Sequence, residues 1–154
     1  HKLAINDYAS YRGMMMLTGI EHAKAKGNPH IVISEDGKAA VWPGAIDDLW
    51  KLGKPVGHGG PWLETEVKAR EKSDPFLIGF YDKREMTLSH AASSEVVFTV
   101  EVDPTGDGQW FKYADFEVKP GASFKHKFPK AFQARWIRVS TNVDTKATVS
   151  FEYR

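Results

Sequence analysis

Asp47 and Asp48 stand side by side in the stretch Ala45–Trp62, which also holds Trp50, Trp62, two Lys and His58 among several Gly. Carboxyl and imidazole groups move protons in glycoside hydrolysis, and an indole face beside them stacks on a sugar ring. One reading therefore makes this a sugar pocket, with Trp50 or Trp62 as platform and Asp47, Asp48 or His58 as hydrogen-bonding or catalytic candidates. In the other reading Leu49, Trp50 and Leu52 are core, one of the two Asp caps a turn, and His58 is exposed. A glycosidase sets two carboxyl groups across a cleft, roughly 5–5.5 Å apart for retention and 6.5–9.5 Å for inversion. Neighbours in extended chain point to opposite sides. Asp47 and Asp48 are thus no such pair by themselves, and a partner has to come from elsewhere, inside this chain or beyond it.

Further along, Trp110, Tyr113 and Trp136 are candidate sugar platforms. Trp136 alternates with Ile137 and Val139, so it either faces outward or packs against a second sheet. Asp103-Pro-Thr-Gly-Asp-Gly108 has the acidic and Gly spacing of a calcium-loop start but lacks the further ligands and the closing Glu, which points to a hairpin turn. The six His show no HExxH and no close pair, and no cofactor is expected. His1 has one sharper reading. Polysaccharide-cleaving copper monooxygenases look like β-sandwiches whose first mature residue is a copper-binding His, and His1 is the metal candidate on that reading; otherwise it marks only a chain boundary.

The elements that must position these groups are clearest after residue 75. Glu95–Val102 puts Val96, Phe98, Val100 and Val102 on one side and Val97, Thr99 and Glu101 on the other, the period of a half-buried strand. Similar runs at 85–90, 111–118, 123–128, 134–141 and 147–153 are separated by turn residues at 103–108, 119–121 and 141–144. Six short strands with one apolar face predict an antiparallel β-sandwich over 76–154, with Phe98, Phe116, Phe124, Phe128 and Phe151 available to its core.

Residues 1–75 predict an irregular, Gly- and Trp-rich β-hairpin lobe. Asn28–Ser34 and Lys38–Trp42 flank an Asp36-Gly37 hairpin signal. Arg12–Ile20 is either a strand or one short helix, Gly57-His-Gly-Gly-Pro61 reads as a loop, and the charged run Glu64–Asp74 with Ser73-Asp-Pro75 reads as the junction. A lobe with so little periodic apolar sequence is expected to lean on the sandwich or on a longer chain.

Lys and Arg number 21 against 20 Asp and Glu, so no strong overall field gathers phosphate backbones and nucleic acid is not an expected partner. Hydrophobic residues make up 42% and charged residues 27%, a globular composition. No run approaches the roughly 18 apolar residues of a membrane span, so no membrane insertion is expected. With no cysteine, disulfides, thiolate ligands and thiol nucleophiles are excluded. The first residues lack the basic and apolar regions of a signal peptide, and the chain does not begin with Met. It reads as a processed protein or a piece of a longer one.

Asn6–Gly13, Asp47–Pro55, Gly59-Gly-Pro-Trp62, Ser73-Asp-Pro75 and Phe98–Gly108 together resemble the C-terminal portion of large secreted bacterial proteins of the glycoside-hydrolase-like β-propeller kind. The resemblance implies that residues 1 to about 75 are the last propeller blade or its closing loops and that the rest is an appended sandwich. It also implies an exported polysaccharide-processing parent and an extracytoplasmic location. The expected role is a non-catalytic carbohydrate-associated accessory segment whose partner is a polysaccharide or oligosaccharide, with a fragment of a glycosidase-like active site as the alternative.

Overall fold

The computed structural model describes residues 5–21, 23, 27–52 and 55–154. The chain is mostly β and divides into two compact units, residues 1–54 and 55–154.

In the first unit, β1 (Asp7–Tyr11) and β2 (Met14–Thr18) form a hairpin. Its two-residue turn is Arg12-Gly13, with φ of 49° and 78°. Paired positive φ values are what a two-residue hairpin turn with the right twist demands. β3 (Val32–Ile33) and β4 (Ala40–Gly44) form the second hairpin around the expected Asp36-Gly37 turn. Ser34 Oγ donates to Asp36 Oδ1 (2.7 Å) and the Gly37 N–H to the Ser34 carbonyl (2.9 Å). The sheet order is β1-β2-β4-β3, and a 3₁₀ helix over Ile46–Leu52 follows. Leu17, Ile20, Ala40 and Trp42 are buried together, with Met15, Ile31 and Leu49 packed on them. This lobe therefore has a small core of its own.

The second unit holds β5 (Gly57–Val67), β6 (Phe76–Leu77), β7 (Arg84–His90), β8 (Val96–Asp103), β9 (Phe111–Val118), β10 (Phe124–Lys127), β11 (Trp136–Thr141) and β12 (Thr145–Tyr153). They make two antiparallel sheets, β10-β7-β12-β5 and β6-β11-β8-β9. Along β7, β8 and β12 a buried residue recurs at every second position, and one face of each sheet turns inward. Met86, Leu88, Phe98, Val100, Ile137, Val139, Val149 and Phe151 form the shared core with no more than 1% exposure. Of the aromatic residues expected there, Phe98, Phe128 and Phe151 are buried, while Phe116 and Phe124 are half-buried against it. Full burial of such side chains stabilises by about 1.5–3 kcal/mol each, so the packing between the two sheets is what chiefly holds this unit folded.

All six expected strands form. The boundary differs: it falls after Lys54, not near residue 75, because Gly57–Val67 is an eleven-residue strand paired with β12 rather than a loop and linker. A side chain at Gly60 would overlap the Val149 carbonyl and lie 2.8 Å from Ser150 Cα. The glycines that read as a loop are what let β5 approach β12, with two register irregularities along the way. The expected junction at Ser73 is also built in, since Ser73 and Val139 exchange backbone bonds at 2.8 Å and through Ser73 Oγ at 3.0 Å.

Candidate functional site

The 3₁₀ helix that carries Asp47 and Asp48 is organised by Asp48. Its Oδ2 accepts from the Ala45 N–H (2.9 Å), its Oδ1 from Lys51 Nζ (2.8 Å), and His30 Nε2 lies 3.9 Å away. The Lys51 bond, joined by the Ala45 N–H, holds this carboxyl below its ordinary pKa. Asp48 is therefore a capping carboxylate, ionised near neutral pH, and Asp47 is exposed beside it. His58 is exposed on β5, opposite Glu152, and so belongs to the other unit. Trp50 is exposed at 82%, against the reading that made it a core residue; Leu49 beside it does pack on the small core of this unit.

Trp62 is only 8% exposed and packs in the sandwich core with Val67 and Val149, so it presents no face to a sugar. It lies opposite the core residue Val149, between the two register irregularities of the β5–β12 pair. Tyr113 is likewise drawn off the surface. A β-bulge between Val100 and Glu101 leaves Tyr113 as the extra residue of β9, and its ring packs among Phe116, Phe128 and Phe132. Its hydroxyl shares a 2.9 Å hydrogen bond with His126 Nε2. Burial raises the pKa of Tyr113 and lowers that of His126, so both stay neutral in this aromatic edge between β9 and β10.

Trp136 stands on the outer face of the β6-β11-β8-β9 sheet, and Trp110, just before β9, meets Arg138 on that face. Ile137 and Val139 point into the core, which puts Trp136 and Arg138 on the opposite side of β11. Trp136 lies between Leu77 and Asp103 on the neighbouring strands, and Arg138 lies opposite Glu101. The Arg138 guanidinium stacks 4.2 Å from the centre of the Trp110 ring. Arg138 Nε donates to Glu101 Oε2 (2.7 Å), and Lys72 Nζ lies 3.0 Å from Glu101 Oε1 and 3.3 Å from Ser140 Oγ. Partial burial alone would raise the Glu101 pKa, but Arg138 and Lys72 outweigh it and the carboxyl stays below its ordinary value.

The turn beside Trp136 is built on Asp103. Oδ1 accepts from the N–H groups of Gly106 (2.7 Å) and Thr105 (3.2 Å), and Oδ2 from that of Gly108 (2.9 Å). Gly106, at φ 82°, leaves room for Arg135 and for the Trp136 indole. The acidic spacing of 103–108 thus serves the β8–β9 hairpin connection. Among the described residues no three His, Asp or Glu side chains gather as a metal site, and His1 lies outside them.

Trp110 and Trp136 stand out in the sequence as aromatic candidates, whereas Arg138 and Glu101, lone charges on the polar side of strands, and Lys72, in the charged connection before β6, read as solvated. The period-two spacing of Trp136 and Arg138 was the available signal. Phe80 is 75% exposed at φ 71° in the turn after β6. No family model, curated protein or solved structure matches the chain. Among the described residues no helix is long and apolar enough to cross a membrane.

Proposed function

We propose that the chain is a non-catalytic, carbohydrate-binding accessory segment of an exported polysaccharide-processing protein, and that it holds its saccharide on the outer face of the β6-β11-β8-β9 sheet. The observation that carries this reading is the placing of Trp136 and Trp110 on one face around the Arg138–Glu101–Lys72 group. Indoles offer apolar faces to the C–H side of a sugar ring, and fixed charged groups beside them orient hydroxyls. Both Trp136 and Arg138 stand on a core strand rather than on a loop, which holds their spacing constant. Asp48 gives the catalytic alternative little support, since an ionised cap is not poised to protonate a leaving group. Export and the longer parent chain rest on the resemblance of Asp47–Pro55, Gly59–Trp62 and Phe98–Gly108 to secreted propeller proteins.

Affinity electrophoresis of the full chain through gels containing soluble plant and algal polysaccharides tests the reading. At least one polysaccharide should retard the protein, Trp136→Ala should abolish the retardation without changing the thermal midpoint, and no reducing sugar should be released. Migration unaffected by every polysaccharide, or steady release of reducing sugar, would overturn it.

A further inference from the structure

We infer that this face selects an acidic saccharide, with the Arg138 guanidinium receiving the carboxylate or sulfate of a unit whose ring lies on Trp136. The inference rests on the carbohydrate reading above and adds the chemistry of the bound sugar to it.

Arg138 uses Nε toward Glu101, and among the described residues its Nη1 and Nη2 groups have no hydrogen-bond partner. A guanidinium carries five N–H donors, so four remain, arranged in the planar fork that matches a carboxylate or sulfate. The group is only about a quarter exposed and is floored by the Trp110 ring. Guanidinium is weakly hydrated compared with ammonium, and a partly desolvated one gives up little water when an anion arrives.

Within its own ion cluster the charges leave a surplus. Two cations, Arg138 and Lys72, share the single Glu101 carboxylate, so one positive charge is uncompensated within the trio. The other nearby carboxylates are engaged. Asp103 accepts from three backbone N–H groups, Asp107 from Gln109, and Asp115 from Lys112 and Thr99. Residues two apart on a strand stand roughly 7 Å apart on one face. A pyranose ring stacked on Trp136 thus has Arg138 within reach of a charged substituent. Glu101 is a positioning residue here, since it fixes the guanidinium plane without itself meeting the anion.

Titration calorimetry of the full chain decides the matter with paired probes. These are uronate oligomers (galacturonate and alginate types), the same oligomers with their carboxyl groups reduced to alcohols, and sulfated galactose oligomers with their desulfated counterparts. An acidic oligomer should bind at least about tenfold tighter than its neutral partner, as expected for charge-assisted hydrogen bonds. That ratio should shrink with added salt. Arg138→Lys keeps a cation for Glu101 but loses the fork, and should bring the ratio toward one with the thermal midpoint retained. Trp136→Ala should weaken every probe that binds. The uronate and sulfate arms tell which anion is used, and either one supports the inference. Equal affinity for acidic and neutral partners, or an Arg138→Lys ratio equal to that of the unaltered protein, overturns the acidic selection while the carbohydrate reading stands. Absence of binding to every probe removes both.

Discussion

The hydroxyl of Tyr153 donates a 2.6 Å hydrogen bond to the carbonyl oxygen of Leu77. Tyr153 ends β12 in one sheet and Leu77 ends β6 in the other, so the bond ties the two layers together at one end of the sandwich. The Tyr153 ring also stacks on Tyr81, with centroids 4.1 Å apart. Burial raises the Tyr153 pKa far above its ordinary value, with Tyr81 adding to the effect.

Tyr153→Phe should leave the Leu77 carbonyl without its partner and cost about 1–2 kcal/mol. Scanning calorimetry should show a midpoint lowered by about 4–8 °C for each kcal/mol. In the native protein the folded state keeps the Tyr153 proton above pH ~10, where an unfolded tyrosine loses it. Stability should therefore fall as pH rises from about 10, and the variant should show a flatter alkaline limb. An unchanged midpoint and limb would show that the bond contributes nothing.

Gly60→Ala places a methyl group against the Val149 carbonyl and 2.8 Å from Ser150 Cα. Strand β5 must shift from β12, at about 1–3 kcal/mol. Urea unfolding should register the loss, and amide exchange should quicken first across residues 57–67. At Gly57 the added methyl meets only ordinary contacts, 3.7 Å from Tyr153 Cδ2, so Gly57→Ala should be close to neutral.

A fragment of residues 55–154 should fold cooperatively with dispersed amide signals, because it contains both sheets and the whole of the larger core. A fragment of residues 76–154 lacks Trp62 and Val67 and turns β12 into a bare edge. It should aggregate or unfold at a much lower temperature. A stable, monomeric 76–154 fragment would restore the boundary near residue 75 that the sequence suggests.

Asp103→Asn should loosen the β8–β9 turn and the support of Trp136. Burial alone would raise the Asp103 pKa, but the N–H groups of Gly108, Gly106 and Thr105 outweigh it and the carboxyl lies below its ordinary value. A carboxyl depressed in the folded state contributes stability above the unfolded pKa, near 4, and loses it as pH falls through the folded value. Melting curves between pH 5 and pH 2 should fall less steeply for Asp103→Asn than for the native protein, starting from a lower midpoint. Parallel curves would rule the turn out as an acid-sensitive point.

The sequence by itself determined the β class, six of the sandwich strands and the Asp36-Gly37 hairpin, because each depends on local alternation or on one residue's φ preference. Val96–Asp103 could bury its apolar residues in only one way. Trp136 was placed on a face by the same period, though not on which face. Only the tertiary structure decided the rest. The Gly57–Pro61 run carries no alternation, and its meaning as a close approach to β12 depends on Val149 and Ser150, some ninety positions away. Trp62 and Tyr113 look as available as Trp136 in a linear chain; a core-facing position on β5 and a bulge in β9 turned them inward. Arg138, Glu101 and Lys72 are three ordinary charges in sequence. They become one site because Glu101 lies opposite Arg138 across the β8–β11 ladder and the segment before β6 runs alongside β11, pairings that neighbouring residues do not encode.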